Sequence, residues 1–261
     1  MLLPRIIPVL LHTKEGLIKT ENFSNPKYIG DPLNAVRIFN EKKVDELIFL
    51  DIEASKLKRE PHYELIKKIA SECNMPLTYG GGINSVSQIE NIIKLGVEKI
   101  SINSSAISTP ELITQAADRF GRQSIVVTID IKLSGLFRKS YKIFDHKTKT
   151  TSNIELLTHL KKIQELGAGE IVINSFDKDG TMLGYDYNLI DYIKPSIKVP
   201  LTALGGASKL SDMTNLFKKY GLIGAAAGSI FVFKGKYRAV LIQYPSNKEK
   251  KLLYSLPYFI S

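Results

Sequence analysis

Two aspartates stand where short apolar runs end, and a carboxylate at such a point can exchange a proton with a bound ligand. Asp130 closes the run at 124–130, and Asp179 lies in the sequence DKDGT just after the run at 169–174. If these runs are parallel strands, both side chains lie at the carboxyl ends, where barrel active sites form. The alternatives are a structural hydrogen bond for Asp130 and an Asp-Gly turn for Asp179.

Glycine-rich and small polar clusters follow other apolar runs, and they are suited to bind phosphate. Backbone N–H groups without side-chain cover can approach an anion closely. The clusters occupy matching places in the two halves of the chain, which predicts a ligand with a phosphate at each end. Tight turns are the alternative for each cluster. The candidate phosphate-binding residues are Gly81, Gly82, Asn103, Ser104, Gly180, Gly205, Gly206, Gly228 and Ser229.

A third set of charged residues lies at the opposite ends of the apolar runs. The residues that stand where a run begins are Arg5, Glu46, Lys99 and Glu170. Charged residues at strand entrances are often simply solvated. Two of each sign can instead close a salt-bridged ring over the base of a barrel, and opening such a ring would create a path along the axis.

Eight short apolar runs alternate with amphipathic stretches and must position these residues. Continuously apolar runs suit parallel strands covered by helices. Eight such units in 261 residues predict a closed (β/α)8 TIM barrel, with an open doubly wound sheet as the alternative. The predicted strands are 5–11, 46–51, 76–79, 98–103, 124–130, 169–174, 200–203 and 222–227, with helices near 32–43, 62–74, 86–95, 110–120, 154–166, 187–194 and 208–219.

The order of acidic strand end, glycine cluster and small polar strand end occurs twice, about 125 residues apart. This repeat predicts two fused half-barrels. We assign residues 1–233 to a single barrel domain and 234–261 to an atypical basic C-terminal segment of that domain. Two loops, after the first and fifth strands, are unusually long and lie on the predicted ligand face.

The net charge of +10 is concentrated in two places. Residues 138–149 hold five Lys and Arg against one Asp, and residues 234–251 hold six against one Glu. The first segment lies over the expected ligand mouth, and the second stands where a final helix is expected. The charge therefore favours an anionic small ligand and a partner surface over a nucleic acid.

Cysteine and histidine content bounds the remaining chemistry. Cys73 is the only cysteine, so a disulfide framework and a cysteine zinc cluster are excluded. The four histidines lack metal-ligand spacing, and we expect neither a metal nor a cofactor. The apolar start MLLPRIIPVLLHT is interrupted by Pro4, Arg5 and Pro8, so we expect no membrane span, no signal peptide and a cytoplasmic protein.

Taken together, the motifs resemble those of the cyclase subunit of imidazole glycerol phosphate synthase, the HisF family. The resemblance covers about residues 1–233, and the segments that carry it are RIIPVLL, KTENF, DELIFLDIEAS, YGGGI, VEKISINSSAI, VVTIDIK, GAGEIVINSFDKDGT, GYD and GGA. It implies a biphosphate ligand held by the glycine clusters. It also implies a HisH-like glutaminase subunit, forming a heterodimer on the N-terminal face near Glu98, and ammonia passing a gate at Arg5, Glu46, Lys99 and Glu170.

The same resemblance implies catalytic roles for Asp130 and Asp179 and matches Lys19 to the family's mobile-loop lysine. In the family, the aspartate that Asp130 matches works with another catalytic aspartate at the end of the first strand. That other position aligns on Leu11 in this sequence. Leucine cannot carry a proton, and His12 should point the other way on a strand. The substitution puts the usual cyclisation in doubt.

The C-terminus departs from the family as well, because YRAVLIQYP and a basic tail replace a long final helix. This ending resembles a paralogous, WbuZ-like branch associated with surface-polysaccharide gene sets of the O-antigen type. In that branch the barrel and its glutaminase supply ammonia to a separate sugar amidotransferase, which makes an acetamidino sugar.

Three functions remain open from the sequence. The first is an ammonia-delivering subunit for amidation of a surface sugar. The second is a histidine-pathway cyclase that tolerates Leu11 and converts the phosphoribulosyl formimino carboxamide ribotide and ammonia into imidazole glycerol phosphate and the aminoimidazole carboxamide ribotide. The third, a nucleic-acid binder, is motivated by charge alone.

Overall fold

The computed structural model describes residues 3–135 and 139–254. Its strands are β1 Arg5–Thr13, β2 Gly16–Glu21, β3 Ser24–Gly30, β4 Leu47–Asp51, β5 Leu77–Gly80, β6 Lys99–Ile102, β7 Ile125–Ser134, β8 Ser140–Asp145, β9 Thr150–Thr151, β10 Glu170–Ser175, β11 Leu201–Leu204, β12 Gly224–Ala227, β13 Phe233–Lys234 and β14 Ala239–Val240. Its α-helices are α1 Pro32–Glu41, α2 Tyr63–Glu72, α3 Val86–Lys94, α4 Ser104–Ser108, α5 Glu111–Phe120, α6 Leu156–Glu165, α7 Tyr187–Ile193, α8 Leu210–Tyr220, α9 Ser229–Val232 and α10 Asn247–Tyr254.

Eight parallel strands close into a barrel, as the sequence predicts. The strands follow one another as β1, β4, β5, β6, β7, β10, β11 and β12, and β12 pairs again with β1. A helix covers each connection, and the predicted strands and helices are confirmed to within a few residues at their ends. The (β/α)8 architecture puts all eight carboxyl ends on one face.

Strand side chains alternate between the helices and the barrel axis. The outward set packs under the helices and forms the main core, with Ile6, Leu10 and Phe49 as buried examples. The inward set forms a second, smaller apolar cluster along the axis. Its buried members are Ile7, Val9, Ile48, Val126, Val172, Leu204 and Ala226, and Leu11 and Leu50 pack against them.

The two long loops of the sequence analysis are largely antiparallel strands. β1 continues to Thr13 and pairs with β2, which pairs with β3. β7 likewise continues to Ser134 and pairs with β8, which pairs with β9. Leu17 in GLIKTE and Ile143 in SYKIFD are the apolar residues that these two added strands bury. Of the basic segment 138–149, Arg138 lies outside the described residues.

The C-terminal segment returns to the barrel wall. After the β13–β14 hairpin the chain runs back along α9, where Leu241 N bonds Val232 O and Gln243 N bonds Phe231 O. α10 then packs beside α8, with the Tyr254 and Phe217 rings 6.5 Å apart. Residues 255–261 of the predicted segment lie outside the described part of the chain. Within residues 3–135 and 139–254, no helix is long and apolar enough to cross a membrane.

Candidate functional site

Strand β1 contributes to both ends of the barrel. Its inward-facing residues are spaced two apart, because alternate side chains of a strand point to the same face. Arg5 stands at the base, Ile7 and Val9 belong to the apolar axis, and Leu11 lines a pocket on the opposite face. One strand thus connects a charged base to an open pocket through a short apolar section.

The four charged residues at the strand starts meet in a closed ring. Arg5 Nη1 lies 2.5 Å from Glu46 Oε2, and Arg5 Nη2 lies 2.7 Å from Glu170 Oε1. Lys99 Nζ lies 2.9 Å from Glu46 Oε1 and 3.0 Å from Glu170 Oε2. Each carboxylate bridges both cations. We call these four side chains the base ring.

The two carboxylates of the base ring are buried and fully bonded. Their side chains are only 4% and 6% exposed. Thr78 Oγ1 donates to Glu46 at 3.2 Å, and Thr202 Oγ1 donates to Glu170 at 2.6 Å. Burial raises the pKa of Glu170, but the hydrogen bond and charge of Arg5 outweigh burial and hold that pKa below its ordinary value. Glu170 therefore stays ionised near neutral pH.

A pocket open to solvent occupies the opposite face of the barrel. The space inside it, together with the open solvent at its mouth, is about 1210 Å³. Its floor includes Val9, Leu11 and Leu50, and its walls come from the carboxyl ends of the strands and the loops that follow them. A smaller adjoining cavity shares Lys19, Asp179, Leu204 and Gly228 with it.

The structure divides the predicted phosphate-binding residues between these two cavities. Gly81, Gly82, Asn103 and Ser104 line the large pocket. The smaller cavity is lined by Gly180, Gly205, Gly206, Gly228 and Ser229. Each cluster comes from one half of the barrel, and Gly228 belongs to both cavities.

Two of these glycines have backbone conformations that exclude a side chain. Gly81 has a φ of +128°, and an added Cβ would lie 2.3 Å from Asp51 O. Gly206 has a φ of +97°, and an added Cβ would lie 2.1 Å from Gly184 O. Tight packing of the loops therefore accounts for part of the glycine pattern, as the alternative interpretation held.

Two buried polar atoms beside these clusters have no hydrogen-bond partner within the described residues. They are the hydroxyl of Ser229 and Oδ1 of Asn174. An unpaired buried polar group costs about 1–3 kcal/mol, so such atoms are usually satisfied by a ligand or water. Both atoms lie in residues that line the two cavities.

Asp130 lies in the pocket wall with both carboxylate oxygens occupied. Oδ1 accepts from Asn174 Nδ2 at 2.7 Å. Oδ2 accepts from Asn103 Nδ2 at 2.7 Å and faces His146 Nε2 at 3.0 Å. Burial raises the pKa of Asp130, but the charge of His146 and these hydrogen bonds outweigh it, so the pKa lies below its ordinary value.

His146 is the pocket residue that sequence reasoning missed. Burial lowers its pKa, but the charge of Asp130 and the hydrogen bond with it together outweigh burial and raise the pKa above its ordinary value. Its ring lies 5.0 Å from each of Phe23 and Phe144, which come from two different extended loops. The available signal was a lone histidine in the long basic loop over the predicted ligand mouth.

Lys19 and Asp179 form a second ion pair between the two cavities. Lys19 Nζ lies 3.1 Å from Asp179 Oδ1 and donates to Thr20 O at 2.9 Å. Burial raises the pKa of Asp179 above its ordinary value, although Lys19 partly offsets this effect. The pair lies where a ligand spanning both cavities would pass.

Leu11 faces the same pocket as Asp130, as expected from strand alternation. His12 is buried on the other side of β1, with its ring 5.4 Å from Phe49. It does not line the pocket. The pocket therefore has one carboxylate from β7 and an apolar side chain from β1.

Other predicted residues have plainer places. Glu98 is exposed beside the base ring, and its carboxylate accepts from Leu77 N at 2.8 Å. Asp51 and Asp177 fix the loops around them through backbone hydrogen bonds. Asp51 accepts from two backbone N–H groups, and Asp177 accepts from Leu133 N at 2.8 Å. Across the described ranges, no three His, Cys, Asp or Glu side chains cluster as a metal site.

Comparison with known proteins gives a consistent result. The family model described as histidine biosynthesis protein matches residues 5–238. The chain is 54% identical over 251 residues to "Putative imidazole glycerol phosphate synthase subunit hisF3" of Vibrio vulnificus (strain YJ016), covering 96% of both chains. It is 48% identical over 241 residues to "Putative imidazole glycerol phosphate synthase subunit hisF2" of Pseudomonas aeruginosa, covering 92% of this chain and 95% of the relative. It is 41% identical over 233 residues to "Imidazole glycerol phosphate synthase subunit HisF" of Lactococcus lactis subsp. cremoris (strain MG1363), covering 88% and 89%.

Proposed function

We propose a function from the premise that this chain belongs to the histidine biosynthesis family, as a HisF-like imidazole glycerol phosphate synthase subunit. In our proposal, a HisH-like glutaminase docks on the N-terminal face around Glu98 and releases ammonia there. The ammonia passes the base ring, crosses the barrel and emerges in the pocket. It is then used to amidate a sugar in surface-polysaccharide biosynthesis, by way of a sugar amidotransferase.

One observation carries the ammonia route: the base ring, the apolar axis and the pocket follow one another along the barrel. Ile7 and Val9 separate the ring from the pocket on β1. A neutral molecule of ammonia can cross such a section, whereas a charged ammonium ion would lose its hydration at high cost. The ring charges are paired with one another, so a small local opening suffices for passage.

Leu11 favours delivery of ammonia over its use in cyclisation. A cyclisation that needs a paired general acid and base loses about a hundredfold or more when one partner is absent. Leu11 contributes an apolar surface where the other carboxylate of such a pair would stand. The pocket would then bind an anionic ligand without carrying out the family's usual reaction.

The C-terminal segment supports a separate branch of the family. Only 233 residues precede position 234, so an alignment of 251 residues must extend into the segment 234–261. The 233-residue alignment with the Lactococcus protein carries no such requirement. We therefore place this chain with relatives that share its atypical ending.

The test of the ammonia route is the Arg5→Ala variant in complex with its glutaminase. We expect glutamine hydrolysis to continue while the nitrogen incorporated per glutamine consumed falls, because the ring no longer controls passage. Arg37→Ala is the matched control, since Arg37 forms an exposed ion pair with Glu72. Unchanged coupling in Arg5→Ala would refute the route.

A second candidate function is the histidine-pathway cyclase, and the His146–Asp130 contact favours it. An imidazole with a raised pKa is a proton-transfer group that does not depend on Leu11. The deciding assay supplies the formimino carboxamide ribotide and excess ammonium salt to the purified chain. Turnover at ordinary cyclase rates that is lost in His146→Gln would favour this function over sugar amidation. No turnover, with partial recovery in Leu11→Asp, would favour amidation.

A further inference from the structure

The described part of the C-terminal segment lies beside the base ring. Tyr244 Oη donates to Ile6 O at 2.8 Å and accepts from Asp45 N at 3.1 Å. Ile6 and Asp45 are the chain neighbours of Arg5 and Glu46, which form one ion pair of the ring. The segment therefore contacts the backbone on both sides of that ion pair.

Asp45 is the point at which the C-terminal contacts converge. Its carboxylate accepts from Ile6 N at 3.1 Å, and Lys250 Nζ lies 2.8 Å from it. Tyr254 Oη donates to the same carboxylate at 2.7 Å. Lys250 also lies over the Tyr244 ring, 5.3 Å from its centroid. Three side chains of the segment thus form one polar cluster.

This cluster lies where the strand ladder is missing. β1 and β4 pair from Val9 and Ile48 toward the pocket, and the ladder does not reach the base. Below it, the side chain of Asp45 and the hydroxyl of Tyr244 connect the two strands. The distance between Arg5 and Glu46 therefore depends on the C-terminal segment as well as on the barrel.

The C-terminal segment also covers the main core, and it does so with apolar side chains outside the polar cluster. Leu253 is 6% exposed and packs into the main core. Apolar contact of that kind needs no hydroxyl or ammonium group on Asp45. The polar cluster consequently has a role that packing alone does not account for.

We propose that Tyr244, Lys250 and Tyr254 are positioning residues for the base ring, so that the C-terminal segment sets how readily the ring opens. This inference rests on the proposed function in one respect: opening matters because ammonia passes there. The closed ring needs the Arg5–Glu46 contact, and the segment holds the backbone of both residues in place. Losing the polar contacts that the segment makes with Ile6 and Asp45 increases the time that the ring spends open.

The direct test measures proton exchange in the full-length chain by NMR, with 15N-labelled arginine and lysine. In Tyr244→Phe we expect the side-chain N–H protons of Arg5 and Lys99 to exchange with solvent about tenfold faster, as expected for loss of two hydrogen bonds. Tyr63→Phe is the matched control, because the Tyr63 hydroxyl, in the first turn of α2, donates to Glu60 at 3.0 Å and not to a neighbour of the base ring. Leu253→Ala is the packing control, and it should lower the unfolding midpoint without accelerating ring exchange.

Lys250→Met provides a second variant should Tyr244→Phe fold poorly, since it removes one charge and keeps the stem. The proposal is supported if the side-chain N–H protons of Arg5 and Lys99 exchange faster in Lys250→Met while its unfolding midpoint stays unchanged. Unchanged exchange in Tyr244→Phe and Lys250→Met, or equal acceleration in Leu253→Ala, overturns it. In the glutaminase complex, uncoupling by Arg5→Ala but not by Tyr244→Phe also rejects the positioning role and leaves the proposed function intact. No uncoupling by Arg5→Ala rejects the proposed function, while the exchange rates still decide the positioning role.

Discussion

The two ends of the barrel use buried charge in opposite ways. At the base, Glu46 and Glu170 are paired with both cations, and within the described residues no buried side-chain nitrogen or oxygen of the base ring lacks a hydrogen-bond partner. At the pocket end, charged groups are also paired, but Ser229 and Asn174 keep unbonded polar atoms. A closed ring has no need of a ligand, whereas the pocket has polar atoms to offer one. The base ring therefore has the character of a barrier, and the pocket has the character of a binding site.

The largest expected effect comes from breaking the base ring. Glu170→Ala leaves Arg5 and Lys99 with one carboxylate fewer in a buried position. Removing one partner of a buried pair destabilises a protein by about 3–5 kcal/mol. Urea unfolding should show a loss in that range, and Glu72→Ala, at an exposed ion pair, should lose less than about 1 kcal/mol. Equal losses in the two variants would mean that the base ring stabilises the fold no more than an exposed ion pair does.

A smaller loss is expected at the charged pair in the pocket. Asp130→Asn keeps the side-chain shape but sets an amide N–H₂ group against donors from Asn103 or Asn174. We expect a loss of about 2 kcal/mol in unfolding free energy. The pKa of His146 should fall toward its ordinary value, which NMR of the imidazole protons can measure. An unchanged pKa of His146 in Asp130→Asn would contradict the pairing of His146 with Asp130.

Ser229 separates binding from stability. Because its hydroxyl is already unbonded, Ser229→Ala should change the unfolding free energy by less than about 1 kcal/mol. The same change should weaken binding of inorganic phosphate several-fold in calorimetry. Ser246→Ala is a useful contrast, since its hydroxyl bonds Glu249 at the start of α10 and has no contact with the pocket. If phosphate binds equally well to Ser229→Ala and to wild type, the Ser229 hydroxyl does not bind phosphate in this cavity.

The smallest effect is a pH dependence of the His146–Asp130 contact. The pKa of His146 is higher in the folded state, so its stabilising contribution is complete below the unfolded value near 6.5 and is lost as pH rises through the folded value. Asp130 stays ionised across this window, because its pKa is lowered. The stability difference between wild type and His146→Gln should therefore shrink as the pH rises above about 6.5. If the stability difference instead grew with pH, protonated His146 would not be the form that stabilises the fold.

Strand periodicity explains how much of the site could be predicted from sequence. The missing carboxylate at Leu11 follows from the resemblance to the HisF family, whereas the base ring follows from charged residues at the starts of recognisable strands. The barrel itself follows from eight apolar runs in regular succession. These features depend on local spacing, which a sequence displays directly.

Contacts between distant loops were beyond the sequence. His146 reaches Asp130 only because β7 extends past the barrel and folds back as β8. The role of Tyr244 depends on where the C-terminal segment crosses the base, and YRAVLIQYP gives no sign of that path. Long-range loop and tail packing is set by tertiary contacts, which local propensity does not determine.

The most direct test of the ammonia route is an isotope competition in the glutaminase complex. The complex, together with the sugar amidotransferase and its acceptor sugar, receives glutamine labelled with 15N at the amide and excess unlabelled ammonium salt in the bulk solution. If ammonia travels through the barrel, the amidated product carries mostly 15N, and Arg5→Ala shifts the product toward the unlabelled nitrogen. A wild-type product with the isotope ratio of the bulk solution would contradict the account.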